Sequence, residues 1–68
     1  MNTLKINGTE KEFAMLPPTL VELLDEMKIN HATIVAEIDG EIIARNEFHE
    51  TPINADQKIE LIRFVGGG

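Results

Sequence analysis

The residues with the most specific chemistry are the last seven, Ile62-Arg63-Phe64-Val65-Gly66-Gly67-Gly68, where a strand-like run passes straight into three glycines. Neither a helix to be capped nor a second strand reached by a turn follows Gly66 and Gly67, so the ordinary structural uses of glycine do not apply. A frayed end is the plain alternative. The functional reading is a tail without side chains that slips through a narrow channel and presents the carboxylate of Gly68 to another protein's active site. Three extended residues reach only about 10 Å at roughly 3.3–3.6 Å each, so such a partner must also grip the sheet beside the tail. With Ile59 and Leu61 turned to the core, strand alternation turns Glu60, Ile62 and Phe64 outward. Ile62 and Phe64, with Val65 beside the tail, then form a docking patch. The competing geometry is a bulge or short 3₁₀ turn that folds Phe64 back into the core.

Other chemistries are weakly represented. His31 and His49, the two histidines, stand on separate elements without metal-ligand spacing, which suits exposed or capping roles. Glu41 with Glu47, or Glu10 with Glu12, offers a carboxylate pair, but nothing in the pattern builds the walls that would perturb their pKa values. The absence of cysteine removes disulfides, thiolate metal sites and a cysteine nucleophile together. The expectation is a protein that other enzymes act upon, with no catalytic residues, metal site or bound cofactor of its own.

Sixty-eight residues, 43% of them hydrophobic, make one small domain with a single core and shallow pockets. Twelve acidic residues against six Lys and Arg give a formal charge of −6, which opposes nucleic acid and anionic membrane and favours a partner with a basic surface. The N-terminus lacks a basic, then apolar, signal pattern, and no apolar run is long enough to span a bilayer. A cytoplasmic protein, monomeric when free, is expected.

The elements that must position the tail are legible from turn chemistry. Asn7-Gly8 between Leu4-Lys5-Ile6 and Thr9 to Phe13 predicts a hairpin with a two-residue type I′ turn. In that register Leu4, Ile6, Thr9, Lys11 and Phe13 share a face, and Lys11 either snorkels at a sheet edge or signals a register longer by one residue. Pro17-Pro18 ends the strand, and Thr19 followed by Glu22 has capping-box spacing, opening a helix of two to three turns. Leu20, Leu23, Leu24 and Met27 form its core stripe. Asp39-Gly40 predicts a second hairpin joining Thr33–Ile38 to Glu41–Ala44, with Ile34, Ala36, Ile38 and Ile43 inward. Arg45 to Phe48 reads as one helical turn and Lys58 to Val65 as a last strand. The sum is α+β, a mixed sheet covered on one face by one main helix.

With these residues in place, the chain resembles the ThiS family, small ubiquitin-like sulfur carriers of thiamine biosynthesis. The resemblance rests on Ile6 to Gly8, on Thr-Leu-x-x-Leu-Leu at Thr19 to Leu24, on Asp39 to Arg45, and most specifically on Phe-Val-Gly-Gly-Gly at Phe64 to Gly68. Lys11 departs from an apolar preference of the family, and Gln57 from a frequent glycine, and both bear on local register. The resemblance implies a β-grasp domain over residues 1–65 and a flexible tail over 66–68. It implies that the Gly68 carboxylate is adenylated by an E1-like enzyme of the ThiF type using ATP and magnesium, then converted to a thiocarboxylate by a sulfur-donating enzyme. Thiazole synthase (ThiG) would take the sulfur. The neighbouring possibilities are a carrier for molybdopterin or another sulfur-containing product, and a ubiquitin-like modifier of lysines.

Overall fold

The computed structural model describes residues 2–64. Its strands are β1 (Asn2–Ile6), β2 (Thr9–Phe13), β3 (Ile34–Ile38), β4 (Glu41–Ile43) and β5 (Lys58–Arg63), with one α-helix, α1 (Leu20–Glu26), and 3₁₀ helices at His31–Thr33 and Arg45–Glu50. They form one mixed five-stranded sheet in the order β2-β1-β5-β3-β4, parallel only between β1 and β5. The last strand in sequence is therefore the central strand of the sheet. Among the described residues, no helix is long and apolar enough to cross a membrane.

Both hairpins have the expected register. Ile6 opposes Thr9 and Leu4 opposes Lys11 in the first, and Ile38 opposes Glu41 in the second. Asn7 and Asp39 each sit at φ 50 and are followed by Gly8 and Gly40 at φ 83 and 88, the two consecutive positive φ values that a type I′ turn demands. The two turn residues also reach the last strand. Asn7 Oδ1 accepts from the Leu61 N–H at 2.7 Å, and Asp39 Oδ1 accepts from the Lys58 N–H at 2.9 Å.

The Lys11 register question resolves in favour of the sheet edge. Strand β2 is an outer strand, so Lys11 keeps its place on the inner face yet stays exposed, its ammonium 5.9 Å from the centroid of the Phe13 ring. Thr9, on the same face of this outer strand, is exposed as well.

Helix α1 starts where its cap predicts. The Thr19 Oγ1 accepts from the Glu22 N–H at 3.5 Å and donates to Glu22 Oε1 at 2.6 Å, a capping box closed through the hydroxyl rather than the Thr19 backbone. It ends in a Schellman motif. The Lys28 N–H bonds Asp25 O at 3.1 Å and the Ile29 N–H bonds Leu24 O at 2.9 Å, with Lys28 at φ 59 in the position that glycine usually takes. Leu20, Leu23 and Leu24 are fully buried against Leu4, Ile6, Ile34, Ala36, Ile38, Ile59 and Leu61, each leucine contributing about 1.5–3 kcal/mol by removal from water. Met27 and Ile43 pack half-buried on this core.

Two core members come from segments with no periodic signal. Phe48, in the second 3₁₀ helix, is 2% exposed, and Ile53 is 6% exposed. The chain around Ile53 crosses the start of α1, held by Leu20 N–H to Thr51 O at 2.9 Å and Ile53 N–H to Pro18 O at 3.1 Å. The second 3₁₀ helix runs to Glu50, longer than the single turn that the sequence predicts, and the 3₁₀ helix at His31–Thr33, capped by Asn30 Oδ1 on the Ala32 N–H at 2.9 Å, has no counterpart in that reading.

Candidate functional site

Helix α1 covers one face of the sheet and leaves the other open, and the candidate docking residues lie on that open face. Strand β5 alternates as its sequence demands: Ile59 and Leu61 are buried, while Ile62 and Phe64 are 53% and 41% exposed. Phe64 lies just past the strand, which ends at Arg63. Its N–H still donates to Thr33 O at 3.1 Å, so the backbone continues the β3 edge instead of folding the ring into the core. Among the residues singled out above, Val65, Gly66, Gly67 and Gly68, and with them the boundary between domain and tail, lie outside the described residues.

The register adds two residues that sequence alone did not single out. Val35 pairs directly with Ile62, and Ile42, one strand further out, pairs with Glu37. Val35 and Ile42 are exposed at 37% and 70%. Alternation within the second hairpin already carried this signal, since inward Ile34, Ala36 and Ile43 leave Val35 and Ile42 facing out. An apolar band of Ile42, Val35, Ile62 and Phe64 thus crosses three adjacent strands. Exposed apolar side chains grouped in this way mark interaction surfaces.

The histidines lie elsewhere. On the helix side, Asp25, His31, Arg45, Phe48 and His49 line one open hollow of about 480 Å³, so two histidines from separate elements come to the same place. His31 Nε2 donates to Asp25 Oδ1 at 2.9 Å, a tie to α1 and not a cap, and His49 Nε2 lies 3.5 Å from Glu50 Oε2. Arg45 Nη2 donates to Ala32 O at 3.2 Å, joining the two 3₁₀ helices. No group of three or more His, Cys, Asp or Glu among the described residues could hold a metal ion. The carboxylate pairs Glu10 with Glu12 and Glu41 with Glu47 consist wholly of exposed residues.

A mixed five-stranded sheet wrapped around one main helix, with the opposite face open, defines a ubiquitin-like β-grasp protein. The crystal structure of the thiamine biosynthesis protein ThiS from Geobacter metallireducens superposes with a TM-score of 0.83 at 28% identity, covering 97% of this chain and 99% of that one. The model of the ThiS family matches residues 4–68, and the chain belongs to that family.

Two curated relatives extend the comparison. The sulfur carrier protein ThiS of Bacillus subtilis is 29% identical over 65 residues, 96% of this chain and 98% of that protein. A thiazole synthase of Paramagnetospirillum magneticum is 31% identical over 65 residues, and there the chain spans only 20% of the relative's length.

Proposed function

We propose that this chain is a sulfur carrier, acted upon rather than catalytic, whose Gly68 carboxylate is adenylated and then converted to a thiocarboxylate that supplies sulfur for thiazole synthesis. The observation that carries the reading is the family match running through residues 64–68, joined to an apolar band that leads up to Phe64 on the open face of the sheet. A carboxylate is a poor electrophile. Attack of a Gly68 oxygen on the α-phosphate of ATP, with magnesium held by the partner, expels pyrophosphate and turns AMP into the leaving group for a sulfur nucleophile. The chain itself contributes an acyl end and a surface that positions it.

The partners in this reading are a ThiF-type adenylating enzyme, a sulfur-donating enzyme and a ThiG-type thiazole synthase, in the cytoplasm where ATP is at hand. The thiazole synthase relative supports the last of these, because sequence similar to this whole chain occurs there within the same polypeptide as the rest of the synthase.

The test is intact mass after incubation with a ThiF-type enzyme, ATP, magnesium and a sulfur donor. A carrier gains one sulfur in place of one oxygen at Gly68, whereas isopeptide adducts on other proteins would identify a modifier and overturn the reading. A deletion strain rescued by thiazole or thiamine assigns the pathway. Rescue by a molybdopterin precursor instead would assign another.

A further inference from the structure

On the open face of the sheet, between the apolar residues, two glutamates occupy directly opposed positions on neighbouring strands. Glu37 of β3 is the register partner of Glu60 of β5. Both are half-buried, and both line a hollow of about 260 Å³ together with Lys58, Gly40 and the exposed Ile62. Like charges directly opposed across two strands destabilise a sheet. The ion pairs among the described residues are His31–Asp25 and His49–Glu50, so neither Glu37 nor Glu60 has a Lys or Arg in ion-pair contact there. Lys58 borders the hollow without pairing, which leaves it with two negative groups and one positive.

An apolar band interrupted by two glutamates that lack an ion-pair partner among the described residues is suited to a complementary surface that carries a cation. Val35 and Ile62 flank the pair toward Phe64, and Ile42 flanks it on the β4 side. A partner that covers the band must desolvate both carboxylates, which is unfavourable unless it brings a cation. The guanidinium group has the geometry for this, being planar and able to donate to two carboxylates at once while stacking on neighbouring apolar side chains.

We propose that the open face from Ile42 through Glu37 and Glu60 to Val35, Ile62 and Phe64 docks on the enzyme that activates the C-terminal carboxylate, and that this partner sets an arginine between Glu37 and Glu60. The proposal rests on the carrier reading. It makes the carboxylate pair the specificity determinant of the docking face, with the apolar band supplying contact area. It also gives the net charge of −6 a local use, since the partner's cation is drawn to one hollow rather than to the acidic surface at large.

The test is ATP–pyrophosphate exchange by a purified ThiF-type enzyme, titrated with the wild-type chain and with the Glu37→Gln/Glu60→Gln variant, at a temperature where circular dichroism shows both folded. The expected result is a KM for the variant at least about tenfold higher, with kcat unchanged and a thermal midpoint equal to or above the wild type. Raising salt from about 50 to about 300 mM should raise the wild-type KM and leave that of the variant nearly constant. Wild-type exchange with an unchanged variant KM overturns the arginine proposal alone. A lowered midpoint overturns it too, because the carboxylates would then serve the fold. Absence of exchange with the wild type overturns the carrier reading, and this proposal with it.

Discussion

Asn7 and Leu61 exchange two hydrogen bonds: the Asn7 Nδ2 donates to Leu61 O at 3.2 Å and the Leu61 N–H donates to Asn7 Oδ1 at 2.7 Å. The side-chain amide thereby continues the parallel ladder that β1 begins with Lys5 opposite Lys58 and Ile6 opposite Ile59, just where the chain turns away at Gly8. A residue suited to its positive φ also holds the strand that bears the proposed docking residues.

Asn7→Ala should therefore cost more than an ordinary surface change. It leaves a part-buried donor and acceptor on Leu61 without their partner, and it places a Cβ residue with no amide at φ 50. A loss of about 1–3 kcal/mol in urea unfolding is expected, with Asn7→Gly falling between the two because glycine suits the turn. A wild-type midpoint for Asn7→Ala would mean that the ladder does not depend on the side chain.

Lys28→Gly should stabilise the domain. Lys28 is exposed and occupies the left-handed position of the Schellman motif at φ 59, where a side chain costs roughly 1–2 kcal/mol. Part of that gain is offset by the greater freedom of glycine in the unfolded chain, so an increase of about 0.5–1 kcal/mol is expected. A lower melting temperature would show that the lysine makes an interaction outweighing its backbone strain.

Phe48→Ala should abolish cooperative folding. Truncating a buried phenylalanine costs about 3–5 kcal/mol, which matches the roughly 3–5 kcal/mol that a single core of this size supplies. Far-UV circular dichroism and amide NMR dispersion should both collapse, whereas Met15→Ala, at a residue 81% exposed, should change neither.

Ile62→Asp and Phe64→Asp should leave the core folded, since both side chains are exposed, while each should weaken binding to the proposed adenylating partner by on the order of 1–3 kcal/mol, the worth of a desolvated anchor. Isothermal titration alongside thermal melts separates the two effects. Unfolding of Phe64→Asp with retained binding by the folded fraction would reverse the docking assignment.

Gly67→Val and deletion of Gly68 test the tail as a ruler. The first adds a β-branched side chain and the second moves the carboxylate back by about 3.3–3.6 Å. ATP–pyrophosphate exchange should fall steeply in both, with thermal midpoints unchanged, because transfer to the α-phosphate tolerates little misplacement. Near-normal exchange in both would remove the main support for the carrier reading.

The legible parts of the sequence were those governed by local rules. Asn7-Gly8, Asp39-Gly40 and Thr19 with Glu22 fixed turns and a helix start, and from them alternation followed far enough to turn Ile62 and Phe64 outward. What stayed hidden depends on residues distant in sequence. The burial of Phe48 and Ile53 arises because their segment crosses the start of α1, and the meeting of His31 with His49 requires two 3₁₀ helices to pack together. The strand order that sets Glu37 against Glu60 is likewise a long-range fact. Gln57 illustrates the point locally: the left-handed residue of that turn is Asp56, at φ 69, while the Gln57 side chain accepts from the Asn54 N–H at 2.9 Å, so glycine is not required at 57.

From Lys58 to Leu61, β5 has a neighbour on either side, β1 with Asn7 along one edge and β3 along the other. Its main chain is thereby withdrawn from negotiation: a visiting strand has no free edge there to zip onto, and the shape of the ribbon says nothing about whose ribbon it is. Whatever reads this strand must read it from above, side chain by side chain, like type on a plate. On the docking proposed above, a chain that kept the fold and changed those few characters would keep its form and lose its address.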